Sequence, residues 1–244
     1  MRGKAKYTVR LATSEKEIKA AQNLRFVVFN LEMNEGLEHS YETFLDSDKF
    51  DEVCDHLLVE DKLSGDIVGT YRLQTGNSAL KNYGFYSQQE FDFSVYSPIV
   101  PELIELGRAC VRKEHRNLVV LGMLWRGIVE YARNNGARYL IGCSSLSSQN
   151  PNEGIELFNM LQNEHLVEKQ FQTNPQGVFV CNPDESKEKL KVKVPKLLSA
   201  YMAVGAKICG PPAIDREFKT IDLLTFLDLN QLNQEVAKRL GLNV

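Results

Sequence analysis

The sequence predicts an α+β (α/β) fold built on one central sheet, and three observations carry that reading. Two β-rich runs, Cys54–Glu60 and Asp66–Leu73, flank Asp61-Lys-Leu-Ser-Gly65, whose Ser-Gly turn makes them a hairpin. Leu103–Arg112, Val119–Asn135 and Tyr139–Cys143 then succeed one another as strand, helix and strand. Ile18, Ala21, Leu24, Val28 and Leu31 recur at helical spacing and set a core-facing stripe on an early helix.

In chain order, Tyr7–Ala12 reads as a short strand. Ser14, with Glu17 three residues on, is a capping-box signature that opens a helix running to about Met33. Asn34–Glu52 is polar and glycine-containing, a long loop of the kind that covers a site. After the hairpin, the aromatic stretch Tyr83–Phe93 is expected as a short helix or an irregular lid. Asn-Asn-Gly136 closes the helix over Val119–Asn135 as a C-cap. Glu153–Asn163 reads as a helix, Gly177–Cys181 as a strand and Leu197–Val204 as a short helix. A Pro-Pro turn leads to Ile221–Leu229, and Gln231–Leu240 ends the chain as a helix. No internal repeat is visible. The expected organisation is one domain over 1–244, with a core of about 7–166 and an extension of about 167–244 packed on it.

The chain is 43% hydrophobic and 25% charged, the balance of a soluble protein with a substantial core. A net charge of −3 argues against nucleic acid as a partner, because bulk binding to phosphates needs an excess of Lys and Arg. Five widely spaced cysteines without a CxxC pair indicate neither a zinc site nor a disulfide framework, and suit a reducing, cytoplasmic setting. No apolar stretch approaches the roughly 20 residues that span a bilayer, which leaves contact with a membrane surface as the one membrane role open. No metal and no tightly bound cofactor is expected.

The chemistry concentrates at Glu105-Leu-Gly-Arg-Ala-Cys-Val-Arg-Lys-Glu-His-Arg116. A strand runs into a basic turn and then a helix, the layout in which backbone N–H groups and cations hold a phosphate. Val111, Arg112, Lys113, His115, Arg116 and Gly122 are the phosphate-binding candidates; a solvated basic loop is the plainer alternative. Glu105 and Arg108 lie three apart and face opposite sides of a regular strand, unless a bulge near Gly107 brings them together. Their functional reading is that Glu105 orients or deprotonates an amine while Arg108 fixes a carboxylate or a loop. A structural ion pair is the competing account. Arg25, with Phe26 and Phe29 beside it, is expected to pack its stem and turn its head towards the long loop. Asp48, Asp51 and Asp55 could hold a cationic substrate group or decorate a surface. Asp215, Arg216 and Glu217 follow two prolines and serve either a site or structural pairing. Met123 and Trp125 read as core, and Cys110 and Cys143 as buried and inert.

Several of these strings resemble a known family. Leu24-Arg-Phe-Val-Val-Phe29, the Glu105…Arg108 pair, Leu124-Trp-Arg-Gly-Ile128, Gly142-Cys-Ser-Ser-Leu146 and Cys209-Gly-Pro-Pro-Ala-Ile-Asp-Arg-Glu-Phe218 are similar to the ornithine-lipid type N-acyltransferases, also called hemolysin-like. These are members of the GCN5-related N-acetyltransferase superfamily. A looser likeness, at Arg25, Phe29, Asp48, Asp51, Arg72, Glu105 and Arg108, reaches the acyl-homoserine-lactone synthases. The resemblance implies a mixed, mostly antiparallel sheet and transfer of a fatty-acyl group from acyl carrier protein to an amino acid's α-amine. Acyl-phosphopantetheine, or acyl-CoA, is then the co-substrate. It also implies that Arg25, Phe29, Asp48, Asp51, Arg72 and Ser144 bind substrate. The superfamily's pyrophosphate loop, Gln/Arg-x-x-Gly-x-Gly/Ala, has its counterpart at Arg116-Asn-Leu-Val-Val-Leu-Gly122, where Val119 or Val120 replaces the inner glycine. A bulky residue there hinders close approach of a coenzyme A pyrophosphate and favours the single phosphate of a carrier protein. Rival readings are an acetyl-CoA-dependent small-amine acetyltransferase and a non-catalytic lipid- or protein-binding module. Lys187, Lys189, Lys191, Lys193 and Lys196 form a basic segment suited to an acidic carrier protein, or to a protected sheet edge.

Overall fold

A computed structural model describes residues 6–183 and 190–242, and adds several short elements to those that the sequence suggests. The strands and helices are β1 (Tyr7–Leu11), α1 (Glu15–Phe26), α2 (Ser40–Thr43), β2 (Asp55–Asp61), β3 (Ile67–Thr75), α3 (Gly76–Lys81), β4 (Leu103–Val111) and α4 (Leu118–Asn134). Then come β5 (Tyr139–Leu146), α5 (Pro151–His165), α6 (Lys196–Val204), β6 (Lys207–Ile208), β7 (Ala213–Asp215), β8 (Thr220–Asp228) and α7 (Gln234–Arg239). The fold class is the expected one, a mixed and mostly antiparallel eight-stranded sheet with helices. Two units divide the chain. The first comprises residues to Gln74, Leu106–Gly136 and Glu235 onward; the second comprises Thr75–Glu105 and Ala137–Gln234.

In the first unit the strands run in the order β1-β2-β3-β4. The antiparallel register of β1 on β2 pairs Tyr7 with Asp61 and Leu11 with Leu57, and that of β2 on β3 pairs Asp55 with Leu73. Residues Leu57–Val59 are buried in succession, as a strand covered on both faces must be. Helix α4 covers one of those faces. A methyl group added at its Gly127 would lie 2.7 Å from Leu57 and 3.0 Å from Val9, so a larger residue there would have to push those side chains aside. Trp125 is buried, as is Met123, in accord with their reading as core. On the opposite face the even-numbered His56 pairs across the hairpin with Arg72.

Helix α1 begins as expected at Ser14, whose hydroxyl accepts from the Glu17 amide. The return bond of the capping box goes elsewhere: Glu17 accepts from the amide and hydroxyl of Thr13, at 2.7 and 3.0 Å. After Phe26 the helix widens into a π-helical turn over Val27–Glu32. Its wider period rotates later residues off the apolar stripe, so Leu31, expected in the core, is 60% exposed. The loop of 34–52 is not featureless. It contains α2 and a 3₁₀ turn at Lys49–Glu52, where Asp48 and Asp51 form a capping box.

In the second unit β4 contributes only Leu103–Glu105, paired in parallel with Tyr139–Ile141 of β5. Antiparallel to β5 runs β8, from Tyr139↔Asp228 to Leu146↔Ile221, and β8 also pairs with β6 and β7. The aromatic stretch after α3 holds a short helix, as one of the two expectations had it, a 3₁₀ turn at Ser87–Gln89, and it is a packed layer rather than a lid. Phe85, Phe91, Phe93 and Tyr96 are buried with Leu103, Tyr139, Ile141 and Phe226, and Phe93 meets Tyr96 at 5.1 Å. Phe171 stacks on Phe226 at 4.7 Å. Gly76 begins α3 where a methyl would fall 1.6 Å from the Val100 carbonyl oxygen, a close approach open to glycine alone. Gly177–Phe179, expected in a strand, is a 3₁₀ turn followed by a single bridge from Val180 to Ala213, because only one residue there meets a partner strand.

Candidate active site

The first unit buries a network of three guanidinium groups and three carboxylates. Arg25, on the inner face of α1, places Nε 2.8 Å from Asp46 Oδ1 and a terminal nitrogen 2.6 Å from Asp51 Oδ1. Arg72, from β3, lies 2.6 Å from Asp48 Oδ1 and 3.4 Å from Asp51 Oδ2. Arg108, from β4, lies 3.3 Å from Asp46 Oδ1 and 3.2 Å from Asp48 Oδ2. So the loop of 34–52 is tied to three elements of its unit by charge. Burial pushes the Asp48 carboxyl up, but the Arg72 and Arg108 charges outweigh it and hold the group at about 2. Asp51 also lies below the usual range, with Arg25 and Arg72 overcoming its burial. His56, buried beside Arg25 and Arg72, is pushed down by burial and by those charges, so it is a neutral ring at pH 7.

The sequence therefore found five members of this network, Arg25, Asp48, Asp51, Arg72 and Arg108, and missed Asp46 and His56. Asp46 stands in an acidic loop where no spacing distinguishes one carboxylate from the next. The carboxylates face the protein's own arginines, so a role for them as an open seat for a substrate cation has no support here. Asp55, weighed with them, instead accepts from the Tyr131 hydroxyl at 2.6 Å. Phe29 is buried in the π-helical turn. Of the two roles weighed for Arg108, the contacts supply the loop tie. The expected irregularity falls at Arg108 itself, one residue past Gly107, with φ of +49°. That left-handed backbone costs an ordinary residue roughly 1–2 kcal/mol, and the ion pairs with Asp46 and Asp48 hold it there.

The basic turn also belongs to the first unit, and most of its donors have partners. Arg116 grips Glu32 through two bonds of 2.5 and 2.7 Å, and its Nε donates to the Val111 carbonyl. His115 Nδ1 lies 3.0 Å from the Tyr7 hydroxyl. The Arg112 amide donates to the Val68 carbonyl, and its head is 3.9 Å from Asp66. At the start of α4 the Asn117 side chain accepts from the amides of Val119 and Val120, the donors that a bound phosphate would otherwise use. A methyl at Gly122 would meet the Leu240 carbonyl oxygen at 3.1 Å, so this glycine serves packing within the unit. Of the basic segment, Lys187 and Lys189 lie outside the described residues. Lys191, Lys193 and Lys196 are exposed, while Val192 and Val194 between them pack inward.

In the second unit Glu105 is 6% exposed. Its Oε2 accepts from the Tyr86 amide at 2.7 Å, and its Oε1 from the Ser87 amide at 2.8 Å and from the Ser87 hydroxyl. The Tyr86 hydroxyl reaches Asp215 at 3.3 Å. Asp215, Glu90 and Asp222 form a buried acidic group whose oxygens lie within 4.8 Å of one another. Cys143, on β5, donates weakly to Glu90. Its thiol is pushed well up by burial and then by the charges of Glu90, Asp222, Glu105 and Asp215, so it is no nucleophile. Ser144 is buried against Thr225, with hydroxyl oxygens 3.2 Å apart. The sequence pointed to Glu105, Asp215 and Ser144; Tyr86 and Ser87 carried no signal beyond their aromatic-rich surroundings.

Comparison with known proteins supplies the chemical context. Residues 24–126 match the model of the acetyltransferase (GNAT) domain. An L-ornithine N(alpha)-acyltransferase of Agrobacterium fabrum is 35% identical over 91% of this chain and 81% of its own. A protein of the same name from Brucella abortus is 32% identical over 96% and 88%. Among solved structures the AHL synthase LasI superposes with a TM-score of 0.55 at 14% identity, covering 94% of this chain and 93% of that one. FeeM, an N-acyl amino acid synthase from uncultured soil microbes, gives 0.55 at 11% identity, over 95% and 94%. At such identities these two likenesses concern the fold.

Proposed function

We propose that this chain, which belongs to the family of L-ornithine N(alpha)-acyltransferases, moves a fatty-acyl group from acyl carrier protein to the α-amine of an amino acid, with ornithine the first acceptor to test. That it is an acyltransferase follows from the family; the donor, the acceptor and the residue roles are the proposal. The observation that carries it is likeness to ornithine acyltransferases along nearly the whole chain.

The reaction needs a neutral amine. An α-amine with pKa near ~8 is partly neutral at pH 7, whereas a side-chain amine near ~10.4 is almost wholly protonated, so the α-position reacts with less assistance. The nitrogen attacks the thioester carbonyl, a C–N bond forms and the C–S bond breaks. The proton given up by the amine ends on the departing pantetheine thiol. Glu105, an anion fixed by two amides and a hydroxyl, orients the amine and relays its proton through water. Backbone N–H groups at the end of β4 stabilise the oxyanion. The Arg25, Arg72 and Arg108 network braces β4 from within its own unit. Arg112, Lys113 and Arg116 meet the single pantetheine phosphate, for which Asn117 must give up its two amides or the cations must suffice.

Incubating the protein with acyl carrier protein or acyl-CoA donors and an amino-acid panel, with mass spectrometry of the products, tests this. Long-chain N-acyl amino acid formed from the carrier-protein donor is the expected result. Acetylation of small amines from acetyl-CoA alone would replace the proposal with that activity, and donor binding without any product would make the chain a binding module.

A further inference from the structure

We infer that Ser87 is a positioning residue for Glu105, its hydroxyl holding the carboxylate ionised and in one orientation within an acidic surrounding. The inference rests on the role given to Glu105 above.

Three features of the second unit lead to it. First, the Ser87 amide and hydroxyl converge on the same oxygen, Oε1, while the Tyr86 amide takes Oε2. Donors on both oxygens fix the plane of a carboxylate as well as its position, and favour its charged form. Second, Ser87 cannot move away. It is fully buried, its carbonyl accepts from the amides of Glu90 and Phe91, and Phe85 and Phe91 on either side are locked in the aromatic core. Third, acidic groups of this unit gather nearby: Glu105 acts together with Glu90, Asp222 and Asp215 on the Cys143 thiol of β5, and Glu90, Asp215 and Asp222 lie close to one another. Like charges push a carboxyl towards its protonated form, and the donated bonds act against that push. A serine buried merely for packing would not need to aim both of its donors at one carboxylate oxygen.

The test reads the carboxylate directly. In protein labelled with ¹³C at glutamate side chains, the Glu105 resonance is assigned by its loss in Glu105→Gln and titrated. In Ser87→Ala it should titrate at a pH higher by about one unit or more, since a hydrogen bond to a charged group is worth about 1.5–3 kcal/mol. Ser87→Thr, which keeps the hydroxyl, should stay within a few tenths of the wild type. Turnover of Ser87→Ala with saturating acceptor should fall about tenfold and that of the double variant should match Glu105→Gln alone. An unmoved resonance in Ser87→Ala overturns the inference. If Ser87→Ala does not fold, Ser87→Cys, which fills the space with a weak donor, must move the resonance in the same direction or the inference fails. Full turnover in Glu105→Gln would instead remove Glu105 from the reaction, a separate failure that the titration does not share.

Discussion

Replacing Asp48 by Asn tests whether the buried network stabilises the first unit through charge or through shape. Asp48 keeps its size in this variant and loses the negative charge that faces Arg72 at 2.6 Å and Arg108 at 3.2 Å. An ordinary Asp carboxyl ionises near 3.8 and that of Asp48 near 2. At about 1.36 kcal/mol per pH unit, that gap makes the charge worth roughly 2 kcal/mol of folding free energy. The folded value is the lower one, so this contribution is complete above pH ~4 and disappears as pH falls towards 2. Urea unfolding of wild type and variant should therefore differ by about 2 kcal/mol at pH 7, with equal slopes. The difference should persist at pH 5 and shrink steadily below pH 4. A gap that is the same at pH 3 as at pH 7 would mean that the amide disturbs packing, and the electrostatic account of Asp48 would be wrong.

Glu105→Gln should lower turnover by about ten- to a thousandfold in a variant with normal unfolding behaviour, the range for losing a group that positions or relays a proton. Arg108→Ala and Arg108→Gly remove the same ion pairs, but glycine adopts a φ of +49° freely, so the glycine variant should be the more stable by about 1 kcal/mol in chemical denaturation; equal stabilities would mean that the bend relaxes once the guanidinium is gone. Reversing Lys191, Lys193 and Lys196 to Glu should slow acyl transfer from the carrier protein and spare a small acyl-pantetheine, with the contrast fading as salt rises; equal loss with both donors would point to damage elsewhere. Burial pushes the thiols of Cys110 and Cys209 up to about 12, so neither should be labelled by a disulfide reagent in native protein at pH 8.

The elements that could be read from the chain are those with a local cause. The hairpin of β2 and β3, the capped α1 and the glycine-ended α4 each follow from residues within a few positions of one another. The π-helical turn that exposes Leu31 has no such signature, because a widened turn is imposed by what packs around it. In the aromatic Tyr83–Phe93 stretch the short helix was among the expectations but the packing was not, because composition alone cannot say whether rings face solvent or one another. At the site, Arg25, Asp48, Asp51, Arg72 and Arg108 were legible as a set, but their mutual pairing was not, since charge type does not reveal which partner a side chain meets. Asp46 and Ser87 were invisible because their roles arise from partners 21 and 18 residues away.

Three positive and three negative side chains that neutralise one another in a largely buried setting also constrain how such a chain can change over time. Losing Asp46 alone would leave Arg25 with Asp51 as its carboxylate partner and the buried group one negative charge short, a loss of up to about 3–5 kcal/mol for a broken buried pair. Losing both members together is far milder, because an apolar pair of similar volume can fill the space. Substitutions at these six positions should thus be tolerated in oppositely charged couples and rejected singly. Among related chains, a missing arginine in this group should predict a missing aspartate, and an engineered variant that changes one should be rescued by changing its partner.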